Sequence, residues 1–341
     1  MSVELIGYAA FFLTMALSFA IICLGLNLQW GQTGLFNVGV AGFVAIGAYV
    51  SALMTTPDDP NRFGGFDLPI PIGWLGGSLA AGIVSFLIGA LTIRLRADYL
   101  AIATFGVAVT VQLAALNLEH VTGGPFGIGF IPRPFAELAG NSLLFSLANL
   151  GVLAITVTLL YLALERLVRS PWGRVLRAIR EDETAARALG KNATRFRLQA
   201  FAIGGGVMGL AGAVQAHFIG FIAPDNYQPM LTFQVWAMLI VGGSGNNRGA
   251  ILGAVLVWGI WAASAGAISA LLPPEQQARA AALQIVMIGV ALCAILLLRP
   301  RGILGEERMV SRHLGKLARR AAAEPAAPQT DSQGASRAEN A

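Results

Sequence analysis

Residues 5–28 read LIGYAAFFLTMALSFAIICLGLNL, 24 positions without one charged side chain. An α-helix rises about 1.5 Å per residue and the bilayer's hydrocarbon core is about 30 Å thick, so about 20 apolar residues suffice to cross it. The same gap in charge recurs along the chain. No Asp, Glu, Lys or Arg lies between Glu4 and Asp58, between Asp67 and Arg94, or between Arg248 and Glu275. Over 341 residues, 56% are hydrophobic and 12% charged, with a mean hydropathy of +0.68. A soluble domain carries about 25% charged residues and needs them to cover its apolar core. Secreted, fibrous, disordered and nucleic-acid-binding classes are therefore set aside. An all-α polytopic membrane bundle of eight to ten transmembrane helices is expected.

Apolar runs place nine candidate spans at 5–28, 34–54, 72–93, 99–118, 143–164, 198–219, 230–243, 249–272 and 281–298. The segment 230–243 is short enough to be a half-helix. Between the spans the loops alternate in charge. Loop 55–71 carries Asp58, Asp59 and Asp67 against one Arg, whereas Arg94 and Arg96 mark the next. Segment 165–197 holds nine basic residues, and Arg299, Arg301, Arg308 and Arg312 follow the last span. Basic loops stay in the cytoplasm, which predicts an N-terminus outside, a cytoplasmic C-terminus and nine crossings. The net charge of +5 thus belongs to juxtamembrane loops, and no nucleic-acid partner is implied. The first segment lacks a basic leader and cleavage site and reads as a retained helix. Residues 1–305 form the expected permeating domain. The tail 306–341, rich in Ala, Arg, Pro and Ser, reads as disordered cytoplasmic chain, with a short basic helix at 308–320 as the other reading.

Cys23 and Cys293 fall inside apolar spans and read as unpaired. His120, His217 and His313 are scattered without metal-ligand spacing, so no metal or other cofactor is expected. Gly190-Lys191 is followed by Asn192 and has Ala185 where a phosphate loop needs its first glycine, so the chain has no ATP cradle of its own. The spans hold no charged relay of the kind ion-coupled carriers use. A transporter with neither motor nor ion site takes its energy from another subunit, and no enzymatic activity is expected here.

Two glycine-rich stretches in opposite halves each lead into a small-residue helix. Gly31-Gln-Thr-Gly34 precedes Gly39, Gly42 and Gly47, and Gly242-Gly243-Ser-Gly245 precedes Gly249 and Gly253. Interrupted helices in corresponding halves point to a translocation path, making Gly31, Gly34, Gly242, Gly243 and Gly245 candidates for it. Tight turns followed by ordinary helix packing explain them equally well. The external stretch Thr122–Gly129 reads as a surface loop more readily than as a gate or docking element.

Segment 165–197 is where an energising subunit would bind. Ser170-Pro171 starts a helix, with serine as N-cap and proline in the first turn. Leu176 and Ile179 share one face of it. Asp182 caps a second short helix through Ala185, Ala186 and Leu189; Gly190 stops it in a left-handed conformation, and Asn192 caps the next span. A short amphipathic helix with small residues fits a partner's groove, but a solvated connector accounts for the same pattern.

The stretch Ser170-Pro-Trp-Gly-Arg-Val-Leu-Arg-Ala-Ile-Arg-Glu-Asp-Glu-Thr-Ala-Ala-Arg-Ala-Leu-Gly190 resembles the cytoplasmic coupling loop of branched-chain amino acid ABC transporter permeases, M-type subunit. Leu95-Arg-Ala-Asp-Tyr-Leu-Ala-Ile-Ala-Thr104, Thr122-Gly-Gly-Pro-Phe-Gly-Ile128, Ala211-Gly-Ala, Val241-Gly-Gly-Ser-Gly245 and Leu298-Arg-Pro-Arg-Gly302 continue the resemblance over about residues 20–305. It implies a helical, multi-pass permease of a bacterial inner membrane, paired with an H-type permease. Two cytoplasmic ABC ATPase subunits, which bind the ATP, and a periplasmic solute-binding protein complete the importer. Relatives that move urea and short amides make such a solute the alternative; a stand-alone channel or carrier is the more distant one. The general permease signature, Glu-Ala-Ala, three residues, then Gly, is matched by Ala185, Ala186 and Gly190. Thr184 stands at the Glu position, with Glu183 one place earlier, and the later Ile-x-Leu-Pro portion is absent. The ATPase contact is accordingly expected from Arg180, Glu181, Asp182, Glu183, Ala185, Ala186 and Gly190. Thr104 joins the glycines as a candidate path residue.

Overall fold

The computed structural model describes residues 2–60, 62–271 and 302–306, with isolated positions between 286 and 297. The helices are α1 (Ser2–Gln29), α2 (Val40–Thr55), α3 (Ile70–Thr92), α4 (Ala97–Asn117), α5 (Glu119–Thr122), α6 (Ser142–Arg169), α7 (Pro171–Glu181), α8 (Glu183–Ala188), α9 (Ala193–Ile219), α10 (Pro229–Gly242) and α11 (Asn247–Leu271). Among the described residues the only β pairing is a two-residue bridge between Ile128 and Ile222. Eight of the nine expected spans are thus helices. The ninth, 281–298, lies outside the described residues apart from isolated positions, as do loop 273–280, the tail 307–341 and all but Gly302 of Leu298–Gly302. Cys23 and Cys293 are both free thiols.

Among the described residues, five helices, α1, α3, α4, α6 and α9, are long and apolar enough to cross a membrane. The shorter α2 and α10 have 16 and 14 residues, about 24 and 21 Å, less than a bilayer core. For α10 this fits the half-helix reading. For the expected span 34–54 it is a correction: residues 34–39 are irregular, and the helix begins at Val40. Gly34 sits at φ +70°, which a helix cannot continue through.

The bundle is built around α9, which packs on α1, α2 and α3. In the most apolar 18-residue windows of α1 and α9, 72% of residues are buried, against 17–28% in α3, α4 and α6. Small residues explain why α9 is central. A Cβ at Gly212 would come within 2.0 Å of the Val44 carbonyl oxygen, and one at Gly209 within 2.2 Å of Ala81 Cβ. Helices meet here at backbone distance, the close packing that small residues permit in membranes. The peripheral helices turn their large side chains outward, with Leu91 82% and Ile102 68% exposed.

The loops sort to two ends. At one end, Phe63 N–H donates to the His120 carbonyl (2.7 Å), and the Ile128–Ile222 bridge ties segment 119–142 to residues 220–223. Thr122–Gly129 is thereby pinned to the bundle. At the other end lie the α1–α2 segment, the α3–α4 turn, α7, α8 and the α10–α11 turn.

Candidate coupling site

The capping chemistry of segment 165–197 is largely as expected. Asp182 Oδ1 accepts from Ala185 N–H (2.9 Å), Asn192 Oδ1 accepts from Arg195 N–H (3.1 Å), and Gly190 has φ +75°. Ser170 differs, for its hydroxyl turns back to donate to the Leu167 carbonyl (2.6 Å) and leaves the start of α7 to Pro171. On α7, Gly173, Leu176 and Ile179 are buried. Ile179, Ala186 and Ala193 form a satellite core with Val175 and Phe196, which binds α7, α8 and the start of α9 into one protrusion.

This core changes the reading of two expected contact residues. Ala186 is 4% exposed and packs inside the chain, because it is the one residue of α8 that faces α7. The outward surface instead carries Ala185 and Leu189, the latter 80% exposed. Leu189 was visible in the sequence as an apolar residue of the short helix. Only the packing shows that it is left uncovered. Arg180 also turns inward, donating to the Gly31 carbonyl and pairing with Glu306. Of the acidic residues, Asp182 serves as a cap and Glu183 pairs with both Arg187 and Arg197, while Glu181 is exposed at the end of α7. Burial and the neighbouring Arg180 lower the pKa of the Arg177 guanidinium, which reaches Gln32 Oε1 at 3.4 Å.

Arg180 leads to the two glycine stretches, which meet although they lie over 200 residues apart. Gln32 Nε2 donates to the Gly245 carbonyl (2.9 Å), and Gly245 N–H donates to Asn27 Oδ1 (2.8 Å). Asn27 Nδ2 in turn donates to Asn247 Oδ1 (2.9 Å), and Asn247 Nδ2 to Glu165 Oε2 (2.8 Å). Residues 302–306 close the far side, with Ile303 and Leu304 N–H donating to the Val241 and Gly242 carbonyls (2.9 and 3.0 Å). The ends of α1, α6 and α10 and the start of α11 are thereby joined in one polar junction beneath α7. A Cβ at Gly31 would stand 2.5 Å from Gly245 N, so the contact requires glycine there.

Thr104 lies apart from this junction and supports the irregular segment 34–39 that runs on from it. Its Oγ1 accepts from Val38 N–H (3.0 Å), Thr232 Oγ1 accepts from Ala41 N–H (3.1 Å), and Trp236 Nε1 donates to the Asn37 carbonyl (2.9 Å). Non-helical backbone survives in an apolar interior only when such partners satisfy it. Trp30, Phe36 and Trp236 pack around the segment with ring centroids 4.8–5.4 Å apart. Of the candidate path residues, Gly31, Gly34 and Gly245 thus gather near α7, while Gly242 packs against Gly249 and Gly243 against Gly302. The arrangement ties a protruding helix pair to four helix ends.

Residues 8–296 match the family described as branched-chain amino acid transport system / permease component. The chain belongs to that family. It is similar to the LivM permease of the high-affinity branched-chain amino acid transport system of Salmonella typhimurium, 36% identical over 268 residues, and to that of Escherichia coli K12, 35% over 266. Each alignment covers 72% of this chain and 60% of the relative, so the chain spans about 60% of the length of those two proteins. LivH, a second permease protein of the Salmonella typhimurium system, is 27% identical over 303 residues, 86% of this chain and 92% of LivH. No solved structure matches. The permease family and its apolar helices make this a multi-pass membrane protein, in agreement with the motif resemblance.

Proposed function

We propose that this permease is the M-type subunit of an ATP-driven importer that carries branched-chain amino acids into a bacterial cell. It pairs with an H-type permease, two cytoplasmic ATPase subunits and a periplasmic binding protein, and has no catalytic or cofactor chemistry of its own. The 36% identity with LivM is the observation that carries this reading. Residues 1–305 act as the membrane domain and 306–341 as its cytoplasmic tail. The α7–α8 protrusion seats against an ATPase through Leu189, Ala185 and Glu181. Arg180 then passes its movement to the junction of residues 31–34 and 242–245. The basic character of 165–197 supports a cytoplasmic position for this end.

Uptake of labelled leucine, valine and urea by vesicles containing the reconstituted complex tests the proposal. Leucine and valine should enter only when ATPase subunits and ATP are present. Uptake without an ATPase overturns the energy source, and uptake of urea alone overturns the solute.

A further inference from the structure

Away from the polar junction, a cavity of about 710 Å3 opens between the α3–α4 turn, α8 and the first turns of α9. Its lining includes Arg94, Arg96, Arg187 and Arg197, with Glu183 and Thr194. Four guanidinium groups against one carboxylate leave a net charge of +3 on these walls. Glu183 is already divided, one oxygen on Arg187 and the other on Arg197. Among the described residues, the side chains of Arg94 and Arg96 make neither an ion pair nor a hydrogen bond, and Arg197 Nε is buried without a partner. Asp98, in the first turn of α4, and Asp182, the cap of α8 beside Glu183, are the nearest further carboxylates in sequence, and neither lines the cavity.

We propose that this cavity binds a phosphate group, held by Arg94 and Arg96 from one wall and Arg187 and Arg197 from the other. Guanidinium groups are suited to phosphate oxygens because their planar fork donates two parallel hydrogen bonds. An anionic phospholipid headgroup and a free phosphate share this chemistry. The surroundings favour the lipid. Leu87, Leu91 and Leu95 lead along the outer face of α3 to the cavity's edge with 44–82% of their surface exposed, and Tyr99 is 61% exposed at the start of α4. Acyl chains fit that apolar face while the headgroup reaches the arginines, as in basic pockets between membrane helices generally. A bound phosphate would bridge the α3–α4 turn to α8.

The test uses the full chain in nanodiscs of phosphatidylcholine with a minor share of phosphatidylglycerol. Native mass spectrometry counts the lipids that stay bound on release. Wild type should retain phosphatidylglycerol preferentially, and Arg94→Gln with Arg96→Gln should weaken that retention about 25-fold. That is about 1 kcal/mol per arginine near a membrane surface, at 1.4 kcal/mol per tenfold. Arg94→Lys with Arg96→Lys should keep most of the preference, and Arg166→Gln, outside the cavity, all of it. A parallel arm titrates inorganic phosphate into the chain in neutral detergent. Phosphate binding that needs Arg94 and Arg96, without lipid retention, supports the site with free phosphate as its source. Equal retention by the glutamine pair and wild type, equal loss in Arg166→Gln, or binding in neither arm overturns the proposal.

Discussion

Asn27 shows how one side chain holds distant parts of this permease together. It is fully buried, accepts from Gly245 N–H and donates to Asn247, so its removal orphans a backbone donor and an amide oxygen inside the bundle. Each unsatisfied buried group costs about 1–3 kcal/mol. Asn27→Ala should lower the unfolding temperature of the purified chain in detergent by several degrees, and an unchanged temperature would remove the junction's structural role. Ala186 poses the opposite problem. Enclosed by Ile179, Ala193, Val175 and Phe196, it has no room for a guanidinium. Overpacking costs about 1–3 kcal/mol, and burying an unpaired charge adds to that. Ala186→Arg should therefore reduce abundance and thermal stability before any partner is present. Normal abundance in the membrane fraction would contradict the packing described here.

At the scale of elements, α8 and the α10–α11 pair separate surface from scaffold. Leu189 ends the α7–α8 protrusion and packs on nothing in the chain to any large extent, so Leu189→Asp should leave abundance unchanged. An apolar anchor of this size is worth about 1.5–3 kcal/mol when buried. Its loss should cut ATPase co-purification about 10- to 100-fold at 1.4 kcal/mol per decade. Full co-purification would make the protrusion a connector. Gly242 belongs to the scaffold. A Cβ there would come within 1.9 Å of the Gly249 carbonyl oxygen, so Gly242→Val must push α10 from α11. Poor membrane abundance is expected for that variant, whereas Gly151→Val, in α6 with nothing within 4 Å, should accumulate normally.

For the whole molecule, the charge of the two ends gives the direction. Arg94, Arg96, the nine basic residues of 165–197 and Arg248 all lie in loops, short helices and helix ends at one end of the bundle, and Asp58, Asp59, Asp67 and Asp225 in segments at the other. Under the positive-inside rule the first end faces the cytoplasm. Reporter fusions at Asp59 and Gly315 should give opposite signals. Equal signals would mean an even number of crossings between those points and would return attention to the short α10.

Sequence alone was enough for the membrane class, for eight helices to within a few residues at most ends, and for the caps at Asp182 and Asn192 and the left-handed Gly190. These follow from signals that act within a turn or two of chain: uninterrupted apolarity, a side-chain oxygen before a helix, a residue without Cβ. Tertiary structure alone decided which helices are inside. The window of α3 has a higher hydropathy than that of α9, 1.8 against 1.4, yet 22% of it is buried against 72%. Lipid is as apolar as the core, so hydropathy cannot distinguish the two, and close packing through small residues makes the difference. The inward turn of Arg180, the burial of Ala186 and the meeting of Gly31 with Gly245 belong to the same class. Each depends on which surfaces of distant helices come together, and no local pattern in the chain records that choice.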